Sequence, residues 1–347
     1  MEELPPPRHL IDWQYIDDDT WQRCLTRTLE HYRQGKHAWS QAARHRSLGL
    51  LFFNPSLRTR TSMELAAVQL GAHATTLVAG QGTWQIEWRD GVVMDSAAAE
   101  HIREAIGVLS EYYDALGVRV FASQTDYVQD RDEVLLRAIV RAATVPVINL
   151  ESAFYHPCQA LADAATILEH LGGAVQGRRF VLSWAYHPRP LPMAVPNSAL
   201  LMAARLGMEV VVAHPPGFEL DEGVMARAQA DAAAHGGRVT VVHDQAEAFE
   251  GAEIIYAKSW GSRLLYTAPD DEAALRAQYR HWRVTPELMA RTRQAAFMHC
   301  LPVRRNVVVD DAVLDSPQAI HLKQAAFRLY AQKAILEYVW HLPPFDP

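Results

Sequence analysis

The feature that most restricts the fold of this chain is a recurrence. A short apolar run is followed by an amphipathic stretch and then by another apolar run, from one end of the sequence to the other. Residues 48–53 (LGLLFF) precede a helical pattern over 61–70, and residues 75–78 follow. Residues 100–116 lead into 117–121 (GVRVF), and residues 134–142 into 145–150 (VPVINL). The second half repeats the scheme, with apolar runs at 180–184, 209–213, 239–242, 253–256 and 296–299 and helical stretches at 198–206 and 223–234. Parallel strands covered on both faces read as unbroken apolar runs, and crossover helices lie between them. The pattern predicts an α/β fold of two domains, each with a mostly parallel sheet flanked by helices. Residues 156–171 read as one helix joining the halves, the glycine-rich turn 172–177 (GGAVQG) as the boundary, and residues 323–341 as a closing amphipathic helix.

Composition narrows what such a chain can do. Its 347 residues suit two domains, and with 49% hydrophobic and 21% charged residues it can bury two cores. With 33 basic residues against 40 acidic ones, 33 − 40 gives a formal charge of −7. No global positive field draws it to nucleic acid or anionic lipid, so any anion it binds needs a local site. Three cysteines without a CxxC spacing argue against a disulfide framework and a structural zinc site. The opening MEELPPPRHLIDWQYIDDD has no basic segment followed by an apolar one, and no apolar run approaches the ~20 residues that span a bilayer. A cytoplasmic location, without membrane contact, is expected.

The turn after residues 180–184 reads AYHPRPLPMAVPNS, with four prolines and no glycine, so the backbone cannot approach a pyrophosphate there and a nicotinamide-dependent dehydrogenase is disfavoured. Neither a Walker loop, an HExxH pair nor an EF-hand loop is present. No cofactor and no metal are expected.

Four places carry groups suited to chemistry. FNPSLRTRTSM, residues 53–63, follows the first strand and opens a helix, bringing Ser56, Arg58, Thr59, Arg60, Thr61 and first-turn N–H groups together at a positive helix end. That is a phosphate cradle. In HPCQ, His156 and Gln159 lie three apart, a spacing that puts both on one helix face, where they could donate to one oxygen. Arg119 stands between valines within a strand, where its charge requires an anionic partner. His299, Cys300, Leu301 and Pro302, with Arg304 and Arg305, follow the last apolar run at a strand end.

Taken together, SxRTR, the arginine of GVRVF, HPCQ and HCLP resemble the aspartate/ornithine carbamoyltransferases, over roughly residues 50–328. WAYHPRPLP, YAKSW and HCLPVRRN further resemble the N-acylornithine branch, the N-acetylornithine and N-succinylornithine carbamoyltransferases. The resemblance implies a carbamoyl-phosphate-binding domain at residues 1–155, joined by a C-terminal helix at 323–347, and an N-acylornithine-binding domain at 156–322, with the active site in the cleft between them. It implies carbamoyl phosphate held by Ser56, Leu57, Arg58, Thr59, Arg60 and Arg328, with Trp84 reaching in from a neighbouring subunit of a homotrimer. Arg119, His156 and Gln159 would polarise the carbamoyl oxygen, and Cys300 and Leu301 would face the carbamoyl NH₂ and the incoming amine. No covalent nucleophile is implied. Glu151, His187, Lys258 and Arg304 would contact the acceptor.

In the acetyl-specific branch the position matching Ala99 is a glutamate, whose charge would repel a succinyl carboxylate, and in the succinyl branch it is usually proline. With other local similarities, such as the five-residue step from Glu151 to His156, this favours N²-succinyl-L-ornithine as acceptor, in a step of arginine biosynthesis. The alternatives are N-acetylornithine, ornithine or another amine, and a non-catalytic metabolite-binding relative, the last expected to have lost the cradle or HPxQ that this chain keeps.

Overall fold

In the computed structural model, which describes residues 8–345, the chain forms two compact units. Part of the opening segment read above as no secretory signal (residues 1–7) and the last two residues of the closing segment (346–347) lie outside the described residues. The first unit takes in the described residues up to 122, with 129–158 and those from 328 onward; the second takes in 123–128 and 159–327. The division falls within a helix, at Cys158, and the 172–177 turn is interior to the second unit. There Gly172, Gly173 and Gly177 take positive φ and reverse the chain between a helix and the next strand.

The first unit begins with α1 (Asp18–Gln34), β1 (Ser47–Phe52), α2 (Arg58–Gln69) and β2 (His73–Val78). A small ribbon, β3 (Gln85–Glu87) with β4 (Ala98–His101), leads to α3 (Ile102–Tyr112), β5 (Ala115–Arg119), the short α4 (Tyr127–Arg131), α5 (Val134–Ala142) and β6 (Val147–Glu151). The main sheet has the order β2-β1-β5-β6, all parallel, with β1 and β5 buried along nearly their whole length. Close strand packing explains the glycine in GVRVF: a Cβ on Gly117 would stand 2.7 Å from a methyl of Leu50 and 2.9 Å from one of Leu150.

From α6 (Pro157–His170) the chain builds the second unit: β7 (Arg179–Trp184), α7 (Ala194–Arg205), β8 (Glu209–Ala213), α8 (Glu222–Ala234), β9 (Arg238–Val242), α9 (Gln245–Phe249) and β10 (Ile254–Lys258). α10 (Pro269–Gln278), α11 (Pro286–Met289), β11 (Ala296–Met298) and α12 (Asp311–Leu314) complete it, before α13 (His321–Val339). Its sheet, β11-β10-β7-β8-β9, is also fully parallel. Two parallel sheets flanked by helices are what the alternation predicts.

The closing helix differs from expectation. It is not amphipathic: from Phe327 onward it is buried on almost every side, charged residues included. The reason is pairing. Glu337 accepts from Arg27 Nε and Nη2 at 2.7 and 2.8 Å and meets His31 Nε2 at 3.0 Å, while Lys333 Nζ donates to the Ala38 carbonyl at 2.9 Å. Among the described residues no helix is long and apolar enough to cross a membrane.

Candidate active site

In the first unit the functional side chains gather at the carboxyl ends of β1, β5 and β6, because parallel strands in register bring their ends together. Phe52 pairs with Arg119, and Arg119 with Glu151. A bulge makes the second match possible: Val118 pairs with Asn149, so Leu150 is the extra residue. Glu151 then takes φ of 139°, which L-residues rarely adopt. Its carboxylate accepts from Arg119 Nη1 at 2.6 Å. The anion that Arg119 requires is thus, in the chain itself, Glu151. The same guanidinium lies 4.3 Å from the ring centre of Phe121, and its buried Nε has no hydrogen-bond partner among the described residues.

Arg328, from α13, completes this cluster. Its Nη2 donates to Thr59 Oγ1 at 3.1 Å, and its Nη1 lies 3.4 Å from His156 Nε2, which is also 3.6 Å from the Glu151 carboxylate. Nε2 thus stands between a guanidinium, which can only donate, and a carboxylate, which can only accept, so either protonation of that nitrogen finds a partner. Thr59, Arg119, His156 and Arg328 are each less than a tenth exposed. α2 starts at Arg58 with Leu57 as N-cap and no side-chain cap bond, so a ligand can meet its first N–H groups. Ser56 and Arg58 are half-buried, Leu57 and Arg60 exposed. Arg60 leans on Glu64 at 3.4 Å. With four arginines to two glutamates here, the cluster's charge favours an anion.

In the second unit the residues expected to meet the acceptor sit at the ends of β7, β10 and β11. His187 Nε2 accepts from Arg304 Nε at 2.9 Å, so its proton lies on Nδ1, 2.7 Å from the Arg189 carbonyl. Burial, with the nearby cations Arg304, Lys258 and Arg189, holds this imidazole's pKa below its ordinary 6.5. Lys258 ends β10, half-buried and without a carboxylate partner among the described residues. Cys300 is half-buried, and Leu301 takes φ of 60° as its N–H donates to His299 Nδ1 at 2.8 Å.

His156 precedes the first residue of α6, and the Gln159 amide donates to Asp163 Oδ1 at 2.7 Å, one turn on. Gln324 donates to the same oxygen at 2.7 Å and accepts from the His299 N–H at 2.9 Å. Sequence reasoning passed over Asp163 and Gln324. The i, i+4 spacing in QALAD carries a signal for the first, whereas Gln324 lies 161 residues from Asp163 and has none. Glu133 and Asn149 were also missed: Glu133 accepts from Ser152 Oγ and, at 3.1 Å, from the Phe154 N–H, and Asn149 Nδ2 donates to Ser152 Oγ at 2.7 Å. Both hold the turn that delivers His156.

Trp84 and Ala99 lie together, with Met94, Glu100, His101 and Glu104, around an open cavity of about 530 Å³. The Trp84 indole, 59% exposed, donates to Glu100 at 2.6 Å. Among the described residues no group of three histidine, cysteine, aspartate or glutamate side chains is arranged to hold a metal ion.

Residues 8–169 match the profile of the aspartate/ornithine carbamoyltransferase carbamoyl-P binding domain, and residues 193–339 that of the Asp/Orn binding domain. The N-acetylornithine carbamoyltransferase of Xanthomonas campestris pv. campestris is 46% identical over 293 residues, covering 84% of this chain and 86% of its own. The N-succinylornithine carbamoyltransferase of Bacteroides fragilis is 39% identical over 305 residues, covering 88% and 91%. A solved N-acetyl-L-ornithine transcarbamylase with a glutamate replaced by alanine, complexed with carbamyl phosphate and N-succinyl-L-norvaline, superposes with a TM-score of 0.93 at 42% identity, covering 96% of this chain and 99% of that one.

Proposed function

Because this chain belongs to the aspartate/ornithine carbamoyltransferase family and is a carbamoyltransferase of its N-acylornithine branch, we propose that its acceptor is N²-succinyl-L-ornithine. The products are then N-succinyl-L-citrulline and phosphate, in arginine biosynthesis within the cytoplasm. The observation that carries the choice is Ala99. It places an uncharged methyl on the cavity beside Trp84, where the resemblance puts a glutamate in the acetyl branch. The acetyl enzyme crystallised with the succinyl compound bears a glutamate-to-alanine replacement, which supports the same reading.

The chemistry assigned to each residue follows. Carbamoyl phosphate lies against Ser56, Leu57, Arg58, Thr59, Arg60 and Arg328, with Trp84 supplied by a neighbouring copy in a homotrimer. Arg119, His156 and Gln159 stabilise the oxygen of the tetrahedral intermediate, a task that needs donors fixed before charge develops. Cys300 and Leu301 meet the carbamoyl nitrogen and the incoming amine. Lys258 and Arg304, the latter oriented by His187, take the acceptor's carboxylates, and Glu151 faces the acceptor as well as Arg119. The δ-amine, with an ordinary pKa of about 10.4, must shed a proton before attack. That first proton goes to solvent; the neutral amine then adds to the carbamoyl carbon to give the tetrahedral intermediate, whose collapse breaks the C–O bond to phosphate, and the leaving phosphate takes the second proton from the attacking nitrogen.

Overall identity favours a second reading, N-acetyl-L-ornithine, since the acetyl relative is 46% identical and the succinyl relative 39%. Steady-state rates with N-succinyl-, N-acetyl- and unmodified L-ornithine decide between them. The largest kcat/KM is expected for the succinyl compound, and a preference for either other acceptor overturns the assignment.

A further inference from the structure

In the second unit the segments carrying His187 and Lys258 run side by side beyond β7 and β10. Main-chain bonds join them: the Ala185 N–H donates to the Lys258 carbonyl at 3.0 Å and the Gly261 N–H to that of Leu191 at 2.9 Å. The Trp184 indole adds a bond to the Trp260 carbonyl at 2.9 Å. One ion pair on α10 reaches both segments. Arg276 Nε lies 3.2 and 3.1 Å from the two oxygens of Glu272, one turn earlier. Arg276 Nη1 donates to the His187 carbonyl at 2.9 Å, and Glu272 Oε1 accepts from the Ser262 N–H at 3.4 Å. Both residues are buried, Glu272 completely.

Burying such a pair is a poor route to stability, because desolvation offsets most of the Coulombic attraction and apolar replacements do as well or better. What an ion pair supplies that leucine cannot is direction. We propose that Glu272 and Arg276 are positioning residues for the amine acceptor. Together they fix the distance between the His187 and Lys258 segments, and through His187 they aim the Arg304 guanidinium. Neither residue touches substrate. This inference rests on the acceptor assignment above and adds to it residues outside every motif used there.

The test compares the wild type, R276K and the apolar double variant E272L/R276M, each first checked for folding by circular dichroism and melting. R276K keeps the charge opposite Glu272, but its single ammonium cannot also span to the His187 carbonyl in the guanidinium's geometry. The double variant leaves no buried charge unpaired. Both are expected to raise KM for N-succinyl-L-ornithine by about tenfold while KM for carbamoyl phosphate stays within about twofold, a split that general loosening would not give. Folded variants with an unchanged acceptor KM, or with both KM values raised alike, overturn the proposal. So does loss of folding in both, which would make the pair a fold determinant. A wild type that transfers to no N-acylornithine is seen before any variant is read, and it removes the acceptor assignment and this inference together.

Discussion

Arg119 and Glu151 face each other across the β5–β6 bulge, Nη1 to Oε2 at 2.6 Å, with neither side chain more than 15% exposed. A buried cation so held is fixed in place before any substrate arrives. R119K is expected to fold and to lower kcat by roughly 100-fold, as loss of a preplaced oxyanion donor does. R119M additionally strands the Glu151 carboxylate and should lower stability by about 3 kcal/mol or more. Steady-state kinetics and denaturant melts on the two variants check this; an R119K enzyme of normal kcat would contradict it.

Glu133 supplies a pH signature of the turn before His156. Burial raises its carboxyl to about 7 from 4.5, despite bonds from Ser152 and the Phe154 N–H. Since the folded state binds this proton more tightly than the unfolded chain, the group favours folding below about pH 4.5, and that contribution is lost as pH rises to about 7. E133Q keeps the shape and cannot titrate. The Tm difference between E133Q and wild type is therefore expected to grow in the variant's favour from pH 5 to pH 7 and then level off. A difference independent of pH would refute it.

The depressed pKa of His187 predicts an acid limb. Above 6.5 the ring is neutral in both folded and unfolded chains, and its contribution to stability is intact. As pH falls through 6.5 toward the lower folded value that contribution declines, and protonation at Nε2 turns the Arg304 contact from bond to repulsion. KM for the acceptor should rise on the acid side in the wild type and not in H187Q, with KM for carbamoyl phosphate following neither trend.

At position 99 the expectation is one of charge. A99E brings a carboxylate to the cavity shared with Trp84, and like charges repel at close range. It should weaken the succinyl acceptor more than the acetyl one, by roughly tenfold in the ratio of kcat/KM values. Equal effects on both would mean that this position does not read the acyl chain.

Much of this was legible in the sequence because parallel strands buried on both faces leave unbroken apolar runs. Residues 134–142, read as helix from their periodicity, form α5 with those same limits. That Ser56, Arg58, Thr59 and Arg60 gather at a helix start was legible too, since they are near neighbours in the chain. Partnerships across long separations were not. Nothing near Arg119 announces Glu151, 32 residues on, because the pairing depends on a bulge and on a backbone angle that leave no composition mark. The closing helix read as amphipathic for the same reason: its charged residues look like a solvated face because their partners, Arg27, His31 and Ala38, lie some 300 residues earlier.

Thr59 accepts its bond from a guanidinium 269 positions downstream. During synthesis the first unit's sheet can therefore emerge, and the whole second unit follow it off the ribosome, while the anion pocket still lacks one wall. Arg328 follows the second unit in the chain. A nascent chain halted at residue 320 would carry the strands of both sheets but not the Arg328 guanidinium, so the bond to Thr59 closes only after the second unit has been made.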